Sequence, residues 1–316
     1  MDIKRRDFLR SSLAGLGGVS LATRASSAND ETAASVPKTP KYPFSTDPVA
    51  RIKLTPNVET SRLGFGTGMA GHNRQSNLTR MDHSKAINLL KHAYDNGVRF
   101  FDCADLYGTH QIVAEALEGK PRDSYTLSSK IWPHPGGIPD EDRPDPEVVV
   151  KRFLQELKTD YLDVVQVHCM MKPDWKDDNI QRYCDGLEKL KEEGLIRAHG
   201  ISVHHRESIK TAATDPWVDA IHIRLNATGA RMDGTFEENV AYSQLAQENG
   251  KGIICMKLIG EGTIKDPEER KKSIEKVVRT GVVDVYIVGF EENWQVDELI
   301  ENVGFALKAI EADRQA

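Results

Sequence analysis

The chain has 316 residues, 39% of them apolar and 28% charged, with a formal net charge of −6. That suits one large globular domain or two small ones. No apolar run is long enough to span a membrane, and the acidic balance argues against nucleic acid or an anionic membrane surface as partner. Cys103, Cys169, Cys184 and Cys255 lie far apart with no C-x-x-C pair, which argues against a zinc site or a disulfide framework and reads them as small apolar core residues.

Residues 1–28 read as a signal rather than as fold. Lys4-Arg5-Arg6 with Phe8-Leu9 precedes a short, mildly apolar run, and small residues follow at Ser26-Ser27-Ala28. Paired arginines before Phe-Leu match the twin-arginine (Tat) type of export signal, so the expected partner is the Tat machinery and the expected location periplasmic. Residues 29–50, rich in Ser, Thr, Ala, Asp and Pro, read as a flexible exposed linker.

From 51 to 316 short β-type runs alternate with amphipathic helical stretches. Strands are predicted at 62–66, 98–103, 125–130, 161–168, 196–202, 220–225, 252–257 and 283–288. Helices are predicted between and after them, at 83–96, 110–117, 145–158, 180–193, 207–214, 236–249, 267–280 and 294–312. Ala86, Leu89, Leu90 and Ala93 mark one helix face, and Gly97 stops that helix. Asp145-Pro146-Glu147 supplies an N-cap and a first-turn proline. Eight strand–helix units predict an α/β fold, a single-domain (β/α)8 TIM barrel. The competitor is an open doubly wound sheet, but no G-x-G-x-x-G follows the first strand; Gly64-Phe65-Gly66-Thr67-Gly68 opens no helix.

Four residues fall at strand C-terminal ends or just past them: Asp102, Tyr107, Lys130 and His168. If 98–103 is a strand, Phe101 and Cys103 face one way and Asp102 faces the interior, where a lone carboxylate needs a cation. Lys130 on the next strand supplies it. An ammonium beside a phenol favours the phenolate, so the spacing predicts a lowered Tyr107 pKa. Tyr107 would then exchange a proton with a carbonyl oxygen while His168 orients that oxygen. A metal-dependent barrel would need clustered ligands; His168, His204, His222 and Asp102 are the candidates, but Lys130 beside Asp102 competes with a metal.

These stretches resemble the aldo-keto reductases. The resemblance is carried by Arg62-Leu63-Gly64-Phe65-Gly66-Thr67, Phe101-Asp102-Cys103-Ala104 with Tyr107-Gly108, Ser128-Ser129-Lys130, Tyr161-Leu162-Asp163 through His168, and Gly194-Leu195-Ile196-Arg197 through Gly200-Ile201-Ser202. It implies a barrel that binds NADP or NAD in extended form across its mouth and interconverts a small carbonyl compound and an alcohol. It implies Tyr107 as general acid/base, Lys130 and Asp102 as its tuning pair, and His168 as substrate orienter. Cofactor contacts are implied at Gly66, Thr67, Ser202, His222, Met256, Lys257, Gly260, Gly289, Gln295 and Glu298. Three positions depart from the family pattern: Val203 replaces an Asn, His222 a Gln, and Met256 an aromatic residue. After the last strand, Glu291 and Glu292 stand where many relatives carry a cation for a 2′-phosphate. The loops 68–80, 131–143, 169–177 and 227–235 carry specificity in such barrels, with Trp132 and Trp175 as pocket walls and His134, Met170, Met171 and Arg231 beside them. The alternative reading is a nucleotide-binding, redox-sensing barrel with little turnover.

Overall fold

Alternating β runs and amphipathic helices can bury a parallel sheet only by covering its faces with helices. In this computed structural model, which describes residues 44–316, the sheet closes on itself. The described chain begins with a segment without regular structure and an antiparallel hairpin, β1 (Arg51–Thr55) and β2 (Val58–Ser61). Eight parallel strands follow: β3 (Leu63–Gly66), β4 (Phe100–Asp102), β5 (Thr126–Ile131), β6 (Leu162–Met170), β7 (Ile196–Val203), β8 (Ala220–Arg224), β9 (Gly252–Met256) and β10 (Val285–Val288). They pair in chain order, and β10 closes the barrel on β3. Around them lie α1 (Asn77–Arg80), α2 (His83–Asp95), α3 (His110–Ala116), α4 (Pro146–Leu157), α5 (Asp178–Glu192), α6 (Arg206–Thr214), α7 (Phe236–Glu248), α8 (Pro267–Arg279) and α9 (Asn293–Gln315).

The expected (β/α)8 barrel is therefore the observed fold, with each predicted strand and helix within a few residues of its place. The helices start where their caps dictate. Asp82 accepts from the Lys85 amide at α2, Thr235 and Glu238 form a capping box at α7, and Pro146 opens α4. Side-chain alternation splits the core in two. Outward residues such as Phe101, Leu127, Val165, Ile201 and Ile253 pack under the helices. Phe100, Val164, Ala198, Ala220, Ile254, Val285 and Ile287 fill the barrel, together with Ile52, Leu54 and Val58 of the hairpin. The hairpin thus plugs the interior, while function is left to the strands' C-terminal ends.

The hairpin and α1 are additions to the sequence reading. The signal was present: Ile52 and Leu54 alternate with exposed Arg51 and Lys53 before a Pro56-Asn57 turn. The linker reading needs correction at its end. Residues 44–50 are mostly half-buried: Arg62 donates to the carbonyls of Ser45 and Asp47, and Arg314 covers the Phe44 ring at 4.1 Å. The expected signal, 1–28, and linker residues 29–43 lie outside the described residues. The four cysteines are free and buried, as the composition suggested. Among the described residues, no helix is long and apolar enough to cross a membrane and no side-chain cluster suits a metal.

Candidate active site

Asp102 ends β4 on the inward face, and its strand partner across the β4–β5 ladder is Ser128. Lys130, two residues further along β5, therefore sits one interior layer above and reaches back. Its Nζ donates to Asp102 Oδ1 at 2.5 Å and to the Cys103 carbonyl at 3.0 Å, with the lysine fully buried. From β8, His222 brings Nε2 to the same Asp102 oxygen at 3.0 Å. The carboxylate accepts, so this imidazole carries its proton on Nε2. Burial works to raise the Asp102 pKa, but Lys130 and His222 outweigh it and hold the carboxyl below its usual range.

Tyr107 lies on the short turn Asp105–Tyr107 that follows β4. The turn is pinned by buried Asp105, which binds Arg74 and Arg152 at 2.8 Å each. The phenol ring is pressed against the backbone of the loop after β3. A Cβ on Gly68 would stand 2.3 Å from the ring, so only glycine fits there. Tyr107 Oη is 3.4 Å from His168 Nε2, and the two rings meet edge-on. Lys130 Nζ is 5.2 Å from the phenol ring centre.

The structure corrects one expectation here. Burial, and then the negative charge of Asp102, push the Tyr107 pKa well above the ordinary phenol value. The Lys130 ammonium hydrogen-bonds Asp102 and the Cys103 carbonyl, not the phenol. His168 moves the other way: burial, then Lys130 and the neighbouring imidazoles, hold it well below the usual histidine range. At neutral pH the pair is a protonated phenol beside a neutral imidazole, which is the resting state of a proton donor.

A groove of about 450 Å³ leads away from this pair, over the ends of β9 and β10, to the start of α9. Gly66, Gly68 and Gly289 line it on one side, and a Cβ on Gly289 would stand 3.0 Å from the Gly66 carbonyl oxygen. Met256 and Lys257 stand near the chemistry; Arg270, Trp294, Gln295 and Glu298 stand at the far end. Lys257 is paired with Glu261 at 2.6 Å, and Arg270 holds Glu298 with two contacts, at 2.9 and 2.6 Å. Trp294 is 54% exposed, an aromatic face offered to the groove.

A family model for the aldo/keto reductase family matches residues 62–306, the whole barrel and its site. The chain belongs to the aldo/keto reductase family. The curated relatives are distant. An uncharacterized oxidoreductase of Bacillus subtilis is 30% identical over 47% of this chain and 46% of its own. A probable aldo-keto reductase of Glycine max is 28% identical over 67% and 60%. The chain thus spans about half to three-fifths of the length of these two relatives. A glyoxal reductase of Bacillus subtilis is 25% identical over 78% of this chain and 92% of its own. Among solved structures, a putative aldo-keto reductase from Pseudomonas aeruginosa superposes with a TM-score of 0.67 at 23% identity, covering 81% of this chain and 95% of that one. An aldo-keto reductase from Klebsiella pneumoniae, in complex with NADP and acetate, superposes with a TM-score of 0.61 at 18% identity, covering 80% and 89%.

Within this aldo/keto reductase barrel the residues singled out from sequence divide into two groups. Asp102, Tyr107, Lys130 and His168 converge at the mouth, and Gly66, Met256, Lys257, Gly289, Gln295 and Glu298 line the groove or its edge. The others make contacts within the protein. Thr67 Oγ1 donates to the Asp102 carbonyl at 2.8 Å; Ser202 Oγ accepts the Cys169 amide at 2.9 Å; Gly260, with φ of 61°, makes a turn. His222 is turned to Asp102. Trp132 meets His168 edge-on at 5.3 Å, at the mouth as expected. Trp175 does not: it is 4% exposed and packs beside Trp217, with its side chain turned into the core under the helices. The sequence reading missed Arg224 and Asp233 at the rim. The period-two pattern that turned His222 inward also turns Arg224 inward, two residues on.

Proposed function

We propose that the protein is an NAD(P)H-dependent oxidoreductase that reduces an aldehyde or ketone to an alcohol, or runs the reverse reaction. The observation that carries this reading is the Tyr107–His168 pair set above the buried Lys130–Asp102 pair at one end of an open groove. The groove fits an extended dinucleotide: a glycine-lined side that no Cβ obstructs, an apolar wall at Met256, cations at Lys257, Lys265 and Arg270, and a flat aromatic at Trp294. When bound, the dinucleotide supplies the hydride. His168 Nε2 and Tyr107 Oη hold the carbonyl oxygen, and Tyr107 gives its proton as that oxygen gains charge. Lys130 then stabilises the phenolate left behind. Glu291 lines the groove near Gln295 and accepts from Asn77 at 2.9 Å, while Glu292 is paired with Lys85. A carboxylate there accepts a ribose 2′-OH and repels a 2′-phosphate, which supports NADH over NADPH.

The test is Tyr107→Phe. Carbonyl reduction should fall by about 10²–10⁴-fold, while nucleotide binding, read as fluorescence quenching, persists. Undiminished reduction in the mutant would sink the mechanism. The second reading, a redox-sensing barrel, is favoured by His222 being committed to Asp102 rather than free for a cofactor. Nucleotide binding without reduction of any aldehyde would support it. From the N-terminal sequence we also propose Tat-dependent export to the periplasm. Replacing Arg5 and Arg6 by lysine should leave the protein in the cytoplasm; unchanged export would refute the proposal.

A further inference from the structure

We propose that the substrate of this site carries a carboxylate, which is bound by Arg224 and His204 at the barrel rim while the carbonyl lies against Tyr107 and His168. This rests on the reductase reading and names the substrate class for it. Ala220, His222 and Arg224 share the inward face of β8, so Arg224 stands one layer above His222, opposite Met256 in the β8–β9 ladder. His204 follows β7, and its ring lies 6.4 Å from that of His168.

The hydrogen bonds of Arg224 are incomplete. One terminal nitrogen donates to Asp233 Oδ1 at 3.2 Å and to the Arg231 carbonyl at 3.3 Å. The other donates to His204 Nδ1, which leaves that imidazole its proton on Nε2. Nε is buried and has no partner. A guanidinium has five N–H bonds; the two unfilled ones are at Nε and Nη2, donors of the kind that pair with a carboxylate. A buried, unpaired donor calls for an acceptor, and a carboxylate is the acceptor a guanidinium holds most strongly.

The local field agrees. Burial lowers His204 to about 3, helped by Arg224, Lys257, Lys130 and His134, none of them an anion. The groups acting most strongly on His168 are of the same kind. Asp233, the carboxylate partner of Arg224, is held at the other terminal nitrogen. Trp132 walls the mouth on the far side of His168.

The experiment compares 4-oxobutanoate with butanal, and glyoxylate with glyoxal, as substrates of the full barrel with NADH and NADPH. The acid of at least one pair should have a kcat/KM tenfold or more above its uncharged counterpart. Arg224→Gln should bring that ratio near one. Asp233→Asn, which removes a repelling charge while keeping an acceptor for Arg224, should raise it. Equal or better use of the uncharged partner in both pairs, or a ratio that Arg224→Gln leaves intact, overturns the proposal. If nothing is reduced, butanoate binding read by tryptophan fluorescence decides. Saturable binding that is absent for butanol and lost in Arg224→Gln upholds the carboxylate subsite while the reductase reading fails; no binding overturns the subsite.

Discussion

His222 donates to Asp102 Oδ1 at 3.0 Å from the opposite side of the barrel. With eight strands in a ring, β4 and β8 are four places apart, so this bond spans the interior. It gives Asp102 a second donor on the oxygen that Lys130 already holds. His222→Phe removes that donor and leaves the Asp102 charge less compensated. A hydrogen bond to a charged group contributes about 1.5–3 kcal/mol, and chemical denaturation should show a loss of that size. The same change should move the alkaline limb of kcat/KM upward, because Asp102 already raises the Tyr107 pKa, second only to burial. A loss of stability with an unmoved pH profile would make His222 a packing residue only.

Lys130→Met should be more damaging. Lys130 and Asp102 are both nearly inaccessible, and removing the cation leaves a buried charge with only the His222 donor against it. Breaking such a pair costs about 3–5 kcal/mol. The sign with pH follows from the wild-type carboxyl, whose folded pKa lies below its ordinary value. Its contribution is complete above the ordinary pKa and is lost as pH falls through the folded one. The difference in Tm between wild type and mutant should therefore hold from pH 7 to about pH 4 and narrow only below it; a difference that stays constant on further acidification to about pH 2 would contradict this account.

Three histidines make the barrel mouth sensitive to acid. His168, His204 and His222 are all held below the ordinary imidazole pKa, each first by burial, His204 to about 3. The unfolded chain binds those protons more readily, so their contribution is complete above about pH 6.5. It is lost as pH falls toward the folded values. A thermal scan should show Tm declining below pH 6, and His204→Gln should flatten part of the decline.

Glu291→Arg should reverse the nucleotide preference. The side chain lines the groove, held by Asn77 at the edge where Gln295 caps α9. Titration of wild type should give tighter binding of NADH than of NADPH, and the arginine variant the opposite order. Tighter NADPH binding by the wild type would remove Glu291 from the argument.

Much of this molecule was open to a local reading. Alternation along 98–103 placed Asp102 inside and Phe101 and Cys103 outside, and spacing at the strand ends brought Lys130 and His168 to the same mouth. Helix periodicity and caps marked α2 and α4 because those signals lie within a few residues of each other. What the linear chain alone determined was the order of elements and the direction in which each strand side chain points. Closure of the barrel decided the rest. It set His222 against Asp102, 120 residues away in sequence, where a cofactor contact was expected. It turned Trp175 into the helix layer and sealed the interior with β1 and β2. It also reversed the expected shift of Tyr107, since the balance between desolvation and a nearby charge depends on how much water the folded neighbours exclude, and no run of residues specifies that by itself.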